Sequence, residues 1–244
     1  YKDFSDLNEY YDLFLIHPDG EIFYTAAREA DYQTNILKGP YAASNLAQLA
    51  RDVVYYDQDR FVDFAPYEPS GNAPAAFVAT AVKLNGATLA SRTNPLTATL
   101  GSQFIVALQL SDSTLNEVML QRTGLGETGE SYLVGPDFKL RTSTRDPKRN
   151  LASSLSGDVA LNGADTEPVR LALEGQSDTG LYQNYNSDWV LASFSPIEVH
   201  NQTWALIAEI QASEVLRPVW ILGLVVLLLL LGVVALVVQL ALFF

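Results

Sequence analysis

Short runs of alternating apolar and polar residues occur at similar places in two halves of the chain. LFLIHPDGEI at 13–22 aligns without gaps on SYLVGPDFKL at 131–140, and both contain a Pro-Asp pair at the same position. An apolar run that meets a Pro-Asp turn and continues into a second short apolar run is typical of a β-hairpin. We therefore predict that each half begins with a hairpin.

The two halves also end alike. FIVALQL at 104–110 matches WALIAEI at 204–210, and the strands that precede them are predicted at 77–82 and 192–197. A repeat of about 110 residues is too long for a solenoid and suits two tandem domains of ordinary size.

Helix signals lie between the hairpin and the last strands of each half. Ser44 is a predicted N-cap, and apolar residues at helical spacing follow it over 46–53. In the second half Thr166 and Pro168 begin an apolar helical stripe that Gly175 ends. The order of hairpin, helix and antiparallel strands predicts an α+β fold, with an antiparallel sheet flanked by helices in each half.

The C-terminal part of the chain is apolar throughout. Residues 219–244 carry no charge, and their one strongly polar side chain is that of Gln239. A helix of this length reaches roughly 39 Å, which exceeds the hydrocarbon thickness of about 30 Å. We predict one transmembrane helix at 217–244, preceded by domains at 1–121 and 122–216.

The net charge and the composition exclude some binding partners and some kinds of chemical site. The chain has 28 acidic and 15 basic residues and a formal net charge of −13. Such a surface repels nucleic acid and the anionic cytoplasmic leaflet, so we expect neither as a partner and place the folded part outside the cytoplasm. The lack of cysteine removes disulfides, thiolate metal sites and cysteine nucleophiles.

One segment fits the spacing of a dinucleotide-binding loop. RTGLGETGESYLVGPD at 122–137 contains G-x-G-x-x-G, a motif that needs a strand before it and a helix after it. Here Thr114 and Glu117 form a predicted capping box of a preceding helix, and 131–134 form a predicted strand. We therefore interpret the glycines as a linker between two domains.

The same segment resembles a known family. GLGETGESYLVGPD at 124–137, YYDLFLIHPDGEIFYTA at 10–26, DFAPYEPSGNAPAAFVATAV at 63–82 and WALIAEIQASEVLRPV at 204–219 are similar to segments of double Cache sensor domains. These are extracytoplasmic regions of bacterial chemoreceptors, histidine kinases and membrane-bound cyclases. The resemblance implies two stacked PAS-like modules, anchored in the bacterial inner membrane and exposed to the periplasm or the cell exterior.

The resemblance also implies a ligand in the membrane-distal first module, with a signal that passes through the proximal module to the membrane helix. That module is rich in tyrosine interspersed with arginine and aspartate, a combination that suits a small polar or zwitterionic ligand. For each tyrosine, a role in the core is an equal alternative. The tryptophan-containing amino-acid motif of some family members is absent from this sequence. The candidate ligand-binding residues are Tyr24, Arg28, Asp31, Tyr32, Asp63 and Tyr67.

No catalytic constellation, metal site or cofactor is predicted. The two histidines lie in unrelated turns, and no nucleophile motif accompanies them. We therefore expect a receptor rather than an enzyme.

Three departures from the family pattern support a second hypothesis. No membrane span precedes Tyr1, no output domain follows Phe244, and a polar loop fills 83–103 where a short hairpin is expected. They are the basis of that second hypothesis, a Cache-derived accessory or structural subunit of a larger membrane complex. A sequence that is a piece of a longer protein explains the first two departures equally well. A homodimer or a contact with other membrane subunits, with loop 83–103 as a candidate surface, stays open.

Overall fold

The computed structural model describes residues 10–83, 103–120 and 124–243. They form two antiparallel sheets, each with helices packed on it, and one long C-terminal helix. The α+β class predicted from the sequence is confirmed. The loop predicted at 83–103 lies almost entirely outside the described residues.

The first sheet has the strand order β2-β1-β5-β4-β3, and every neighbouring pair is antiparallel. The predicted hairpin at 13–22 is confirmed as the β1-β2 pair. The strands are β1 (Asp12–Ile16), β2 (Ile22–Thr25), β3 (Arg60–Tyr67), β4 (Ala73–Lys83) and β5 (Gln103–Ser111), with a 3-10 turn at Glu68–Ser70.

Helix α1 (Asn45–Tyr56) covers one face of this sheet. The side chain of Ser44 accepts a hydrogen bond from the backbone N–H of Ala47, which confirms the predicted N-cap. The apolar stripe of α1 packs on Phe14, Ile16 and Phe77 of the strands. We call this covered side the inner face of the first sheet.

The second sheet has the order β6-β9-β8-β7 and is also antiparallel. Its strands are β6 (Glu130–Val134), β7 (Asp178–Gln183), β8 (Trp189–Val199) and β9 (Gln202–Gln211). Besides α1, the described residues outside the membrane segment form α2 (Asp112–Met119), α3 (Leu151–Ser156), α4 (Val159–Asn162) and α5 (Glu167–Leu173). Of these, α5 packs on β8 and β9.

The prediction of a hairpin at 131–140 is wrong for its second strand. Residue Leu140 makes only an isolated bridge to Val134. The backbone N–H of Leu133 donates instead to the side-chain hydroxyl of Thr142 at 3.0 Å. A side chain thus takes the place of a backbone carbonyl, and the second sheet has one strand fewer than the first.

The linker region follows the predicted order, with one correction. Helix α2 precedes the glycines and β6 follows them, which is the reverse of a dinucleotide-binding loop. The helix begins at Asp112 with Ser111 at its N-cap, so Thr114 lies inside the helix and is not the predicted cap.

Helix α6 (Ala212–Phe243) is long and apolar enough to cross a membrane, and its most apolar window is not buried against the described protein. It continues directly from β9 and begins before the predicted start at 217. The domain boundaries at 121 and 216 stay a prediction.

Candidate functional site

A group of buried polar side chains lies on the inner face of the first sheet. Asp12 on β1 and Gln109 on β5 are directly opposite each other, and both are almost fully buried. Phe14 and Ile105 follow on the same face. The polar group therefore lies at one end of an apolar core, where each polar atom needs a hydrogen-bond partner.

The carboxylate of Asp12 is held by the segment that leaves β2. Its Oδ1 accepts hydrogen bonds from the backbone N–H groups of Ala26 at 2.7 Å and Ala27 at 2.9 Å. Its Oδ2 accepts from the hydroxyl of Thr25. These donors fix the start of the loop that joins β2 to α1.

Asp31 lies in that loop and is fully buried. Its Oδ2 accepts a hydrogen bond from the hydroxyl of Tyr67, a core residue at the end of β3. Within the part of the chain that the structure describes, Asp31 Oδ1 has no hydrogen-bond partner. One oxygen of this carboxylate is therefore hydrogen-bonded to a residue of the sheet, while the other oxygen lacks a donor.

Gln109 shows the same incomplete bonding. Its Nε2 donates to Ser70 Oγ at 3.1 Å, and Ser70 in turn donates to Glu29 at 2.6 Å. Its Oε1 is buried and has no partner among the described residues. Two buried acceptors, one charged and one neutral, thus lack donors in the same polar group.

Burial raises the pKa of two carboxyl groups of this site, Asp31 and Asp12. Burial raises the pKa of Asp31, the charges of Asp12 and Glu29 raise it further, and the hydrogen bond from Tyr67 lowers it. Burial likewise raises the pKa of Asp12, against the hydrogen bonds that it accepts. The site therefore favours a positively charged or hydrogen-bond-donating neighbour.

The structure brings together two of the six predicted ligand residues, Asp31 and Tyr67. Arg28 is exposed, and its guanidinium carbon lies 5.8 Å from the ring centroid of the half-buried Tyr32. Tyr24 is paired with Leu15, so it projects from the sheet face opposite Asp12. The prediction of these residues as ligand contacts is not tested by their positions.

Asp63 is separated from the other candidates. The pairing of β3 with β4 shifts register between Val62 and Ala65, and the Asp63 side chain projects toward the second module. There it accepts two hydrogen bonds from the guanidinium of Arg141, each of 2.8 Å, and one from Trp204 Nε1 at 3.3 Å. Its carboxylate therefore links the two modules.

Aromatic rings surround this ion pair. Trp204 on β9 lies 6.0 Å from Phe61 and 6.3 Å from Phe64 between ring centroids, and Leu151 of α3 completes the same buried cluster. We call this contact the intermodule cluster. Because only 3% of the Arg141 side chain is exposed, its bidentate pairing with Asp63 offsets a large loss of hydration.

The linker is attached to the first turn of the membrane helix. Glu214 accepts hydrogen bonds of 2.8 Å from the backbone N–H groups of Glu127 and Thr128, and a third from the Thr128 hydroxyl. The backbone N–H of Gln211 donates to the same hydroxyl at 3.1 Å. We call this set of contacts the linker clamp.

Sequence reasoning missed the buried pair of Asp12 and Gln109, although a signal for it exists. Alternation along β1 puts Asp12 on the face of Phe14 and Ile16, and alternation along β5 puts Gln109 on the face of Ile105. A polar residue at a position that alternation places on the core side of an apolar strand indicates such a buried polar site.

Comparison with known proteins identifies the fold. No family model and no curated sequence matches the chain. The periplasmic sensory domain of the Campylobacter jejuni chemoreceptor Tlp1 is similar, with a TM-score of 0.56 and 15% identity over 85% of this chain and 73% of that one.

Two Pseudomonas aeruginosa ligand-binding domains are similar at a TM-score of 0.51. PctB in complex with L-Arg has 15% identity over 84% of this chain and 67% of its own. PctC in complex with GABA has 11% identity over 83% and 74%. The chain therefore has the tandem Cache fold of chemoreceptor sensor domains, and the resemblance found in the sequence is confirmed at the level of the fold.

Proposed function

We propose that this chain is the extracytoplasmic sensing region of a membrane-anchored receptor, and that its first module binds a small polar ligand through a basic nitrogen. The ligand nitrogen donates to Asp31 Oδ1 and Gln109 Oε1. Binding changes the position of the first module on the second, and α6 passes this change to the membrane.

The two unpartnered acceptors carry the proposal. A buried acceptor without a donor costs about 1–3 kcal/mol, so a fold retains one where something else supplies the donor. Asp31 and Gln109 each have one such oxygen in the same polar group. A ligand ammonium has several N–H donors and a charge that complements Asp31.

The chemistry of the surroundings supports a basic nitrogen rather than an acid. Asp12, Glu29 and Asp31 are all acidic, and the Arg28 guanidinium lies over Tyr32 on the exposed side. L-Arg and GABA, the molecules bound in two proteins of similar fold, each carry a basic nitrogen. We infer a ligand with such a group that is bound without being chemically changed.

A route from this site to the membrane supports the signalling part. Tyr67, which holds Asp31, ends the same strand β3 that carries Asp63 into the intermodule cluster. The second module continues through β9 into α6, and the linker clamp joins the linker to the first turn of that helix. A displacement of β3 is thereby passed to α6 through contacts that are all packed or hydrogen-bonded.

The test is a titration of the full chain in lipid nanodiscs with L-Arg, GABA and 1,4-diaminobutane, followed by calorimetry. We expect at least one of them to bind and the change Asp31→Asn to weaken it by about 10- to 100-fold, because a charged hydrogen bond is lost. Asp59→Asn changes an exposed carboxylate of the same module and serves as the matched control. Lack of binding by all three compounds, or an Asp31→Asn chain that binds L-Arg and GABA as well as the control does, contradicts the proposal.

A further inference from the structure

The second module contains a cavity at the place that corresponds to the polar site of the first. Its volume is about 280 Å³, and it lies beside β6, β9 and the loop between β7 and β8. Its lining includes four acidic side chains and two neutral polar ones: Glu130, Glu209, Asp146, Asp188, Tyr185 and Asn184.

The internal repeat relates this cavity to the first module. The alignment of 13–22 with 131–140, extended by one residue, sets Asp12 against Glu130, and the alignment of 104–110 with 204–210 sets Gln109 against Glu209. Each pair is directly opposite across two antiparallel strands. Both pairs therefore occupy the same position in their sheets.

The hydrogen bonds of the two pairs also correspond. In the first module the backbone N–H of Ala27 donates to Asp12 at 2.9 Å, and in the second the backbone N–H of Arg145 donates to Glu130 at 2.7 Å. By the same alignment, Ala27 and Arg145 are equivalent residues. The second site is thus built on the same framework as the first.

The chemistry at the second site is different, because it places two carboxylates opposite each other. Both glutamates are at least nine-tenths buried. Glu209 accepts from Tyr132 at 2.9 Å and from Asn184 at 2.8 Å, while Glu130 accepts from the hydroxyl of Tyr185. These bonds orient the two carboxylates but supply no cation between them.

Like charges opposite each other in a sheet repel, and burial increases the repulsion. Burial raises the pKa of Glu209 to about 7, and the charge of Glu130 adds to this rise. Arg145 also borders the cavity, but its guanidinium donates to the carbonyl of Gly129 at 3.0 Å. A positively charged occupant of the cavity offsets this repulsion.

We infer that the cavity of the second module is a binding site for a small organic cation, with an ammonium group directed at Glu209 and Glu130. Asp146 and Asp188 give the cavity further negative charge for a second amino group. Among the described residues no group of acidic and histidine side chains has the arrangement of a metal site. This inference stands independently of the ligand in the first module.

The position of the cavity gives its occupant a route to the membrane helix. Glu127 and Thr128 line the cavity, and their backbone N–H groups are the ones that Glu214 holds in the linker clamp. A cation in the cavity therefore contacts the linker where it is attached to α6. We expect it to change the strength of that attachment.

The test is a calorimetric titration of the full chain carrying Asp31→Asn, so that binding in the first module is weakened by the 10- to 100-fold expected above. The probe is 1,4-diaminobutane, and uncharged 1,4-butanediol is the control for its shape. We expect the diamine to bind and the diol not to bind. No heat with the diamine, or equal binding of the diol, overturns the inference. The second-module variants below separate this heat from residual binding in the first module.

Two further changes locate the site. Glu209→Gln removes the buried charge and is expected to weaken diamine binding by at least 10-fold, whereas Glu174→Gln changes an exposed glutamate of the same module and leaves it unchanged. Because Glu209 is buried, the exposed cavity residue Asp188 provides a second variant without a folding defect, and Asp188→Asn is expected to weaken binding several-fold. Unchanged affinity in both variants overturns the inference.

Discussion

The two modules share the same arrangement of paired strands, but their buried polar groups lack different things. In the first, Asp12 faces Gln109, and the deficit is of hydrogen-bond donors for Asp31 and Gln109. In the second, Glu130 faces Glu209, and both carboxylates are hydrogen-bonded but repel each other. On the last strand, Gln109 of the first module has an acceptor without a donor, whereas Glu209 of the second module adds a negative charge opposite Glu130.

The largest expected effect tests whether the modules behave as one unit. Arg141→Ala leaves Asp63 partly buried and without its cation, and we expect a loss of about 3 kcal/mol in the free energy of unfolding. Chemical denaturation followed by tryptophan fluorescence measures it, since Trp204 lies in the intermodule cluster.

The matched control for that change is Arg170→Ala, which removes an exposed ion pair with Asp165 and is expected to cost less than about 1 kcal/mol. Equal effects of the two changes would show that the intermodule ion pair does not hold the modules together.

The change Glu209→Gln gives the second module the residue type that the first module has at Gln109. Glu209 has its pKa raised from 4.5 to about 7, so the folded protein binds its proton more tightly than the unfolded chain does. Its contribution to stability is present below pH 4.5 and is lost as the pH rises through 7, a change of roughly 3 kcal/mol.

We therefore expect Glu209→Gln to remove this part of the pH dependence. The measurement compares unfolding free energies of the two chains between pH 4.5 and 8. The ionisable groups around Glu209 are the same in both chains: Tyr132, Glu130, Asp188, Tyr185, Arg145 and Asp146. Parallel curves over this range would contradict the assignment of the shift to Glu209.

The third prediction concerns how much the buried charge of Asp31 lowers the stability of the ligand-free protein. Asp31→Asn removes a buried negative charge that Asp12 and Glu29 repel, so we expect the free protein to gain about 1 kcal/mol at pH 7 while it loses ligand affinity. Thermal unfolding against Asp59→Asn measures the gain. A clear loss of stability would mean that Asp31 serves the core rather than a ligand.

The smallest expected effect concerns the linker clamp. Gly126 has a positive φ of 71°, and an added Cβ would lie 2.3 Å from Glu214 Oε1. Gly124 also has a positive φ, of 88°, but an added Cβ would meet nothing within 4 Å. Both Gly→Ala changes strain the backbone by about 1 kcal/mol, and only Gly126→Ala also disturbs the clamp.

Hydrogen exchange at the backbone amides of Glu127 and Thr128 distinguishes these two changes. We expect faster exchange in Gly126→Ala than in Gly124→Ala, because Glu214 accepts from both amides. The same exchange rate in both variants would show that Gly126 does not support the linker clamp. It would contradict the proposed route from the linker to α6.

Much of the fold could be predicted from the sequence because its signals are local. The alternation at 13–16, the cap at Ser44 and the apolar run of the membrane helix each depend on neighbouring residues only. The missing strand near Leu140 could not be predicted, since it depends on the Thr142 hydroxyl replacing a backbone partner.

The site was less predictable because it depends on contacts distant in sequence. In the sequence, Asp31 and Tyr67 belong to the same tyrosine-rich, charged region as Tyr24 and Arg28. Only the fold shows that Asp31 and Tyr67 are in contact and that Tyr24 lies on the other face of the sheet. Asp63 looks like the other acidic candidates in the sequence, but a register shift in β3 directs it to Arg141.

A crystal structure of the full chain with one of the titrated amines bound tests the proposed contacts of the ligand in the first module. We predict a ligand nitrogen within about 3 Å of both Asp31 Oδ1 and Gln109 Oε1, the normal length of such hydrogen bonds. A ligand carboxylate at these two oxygens, or a first module that stays free of ligand while the amine binds elsewhere, would contradict the account.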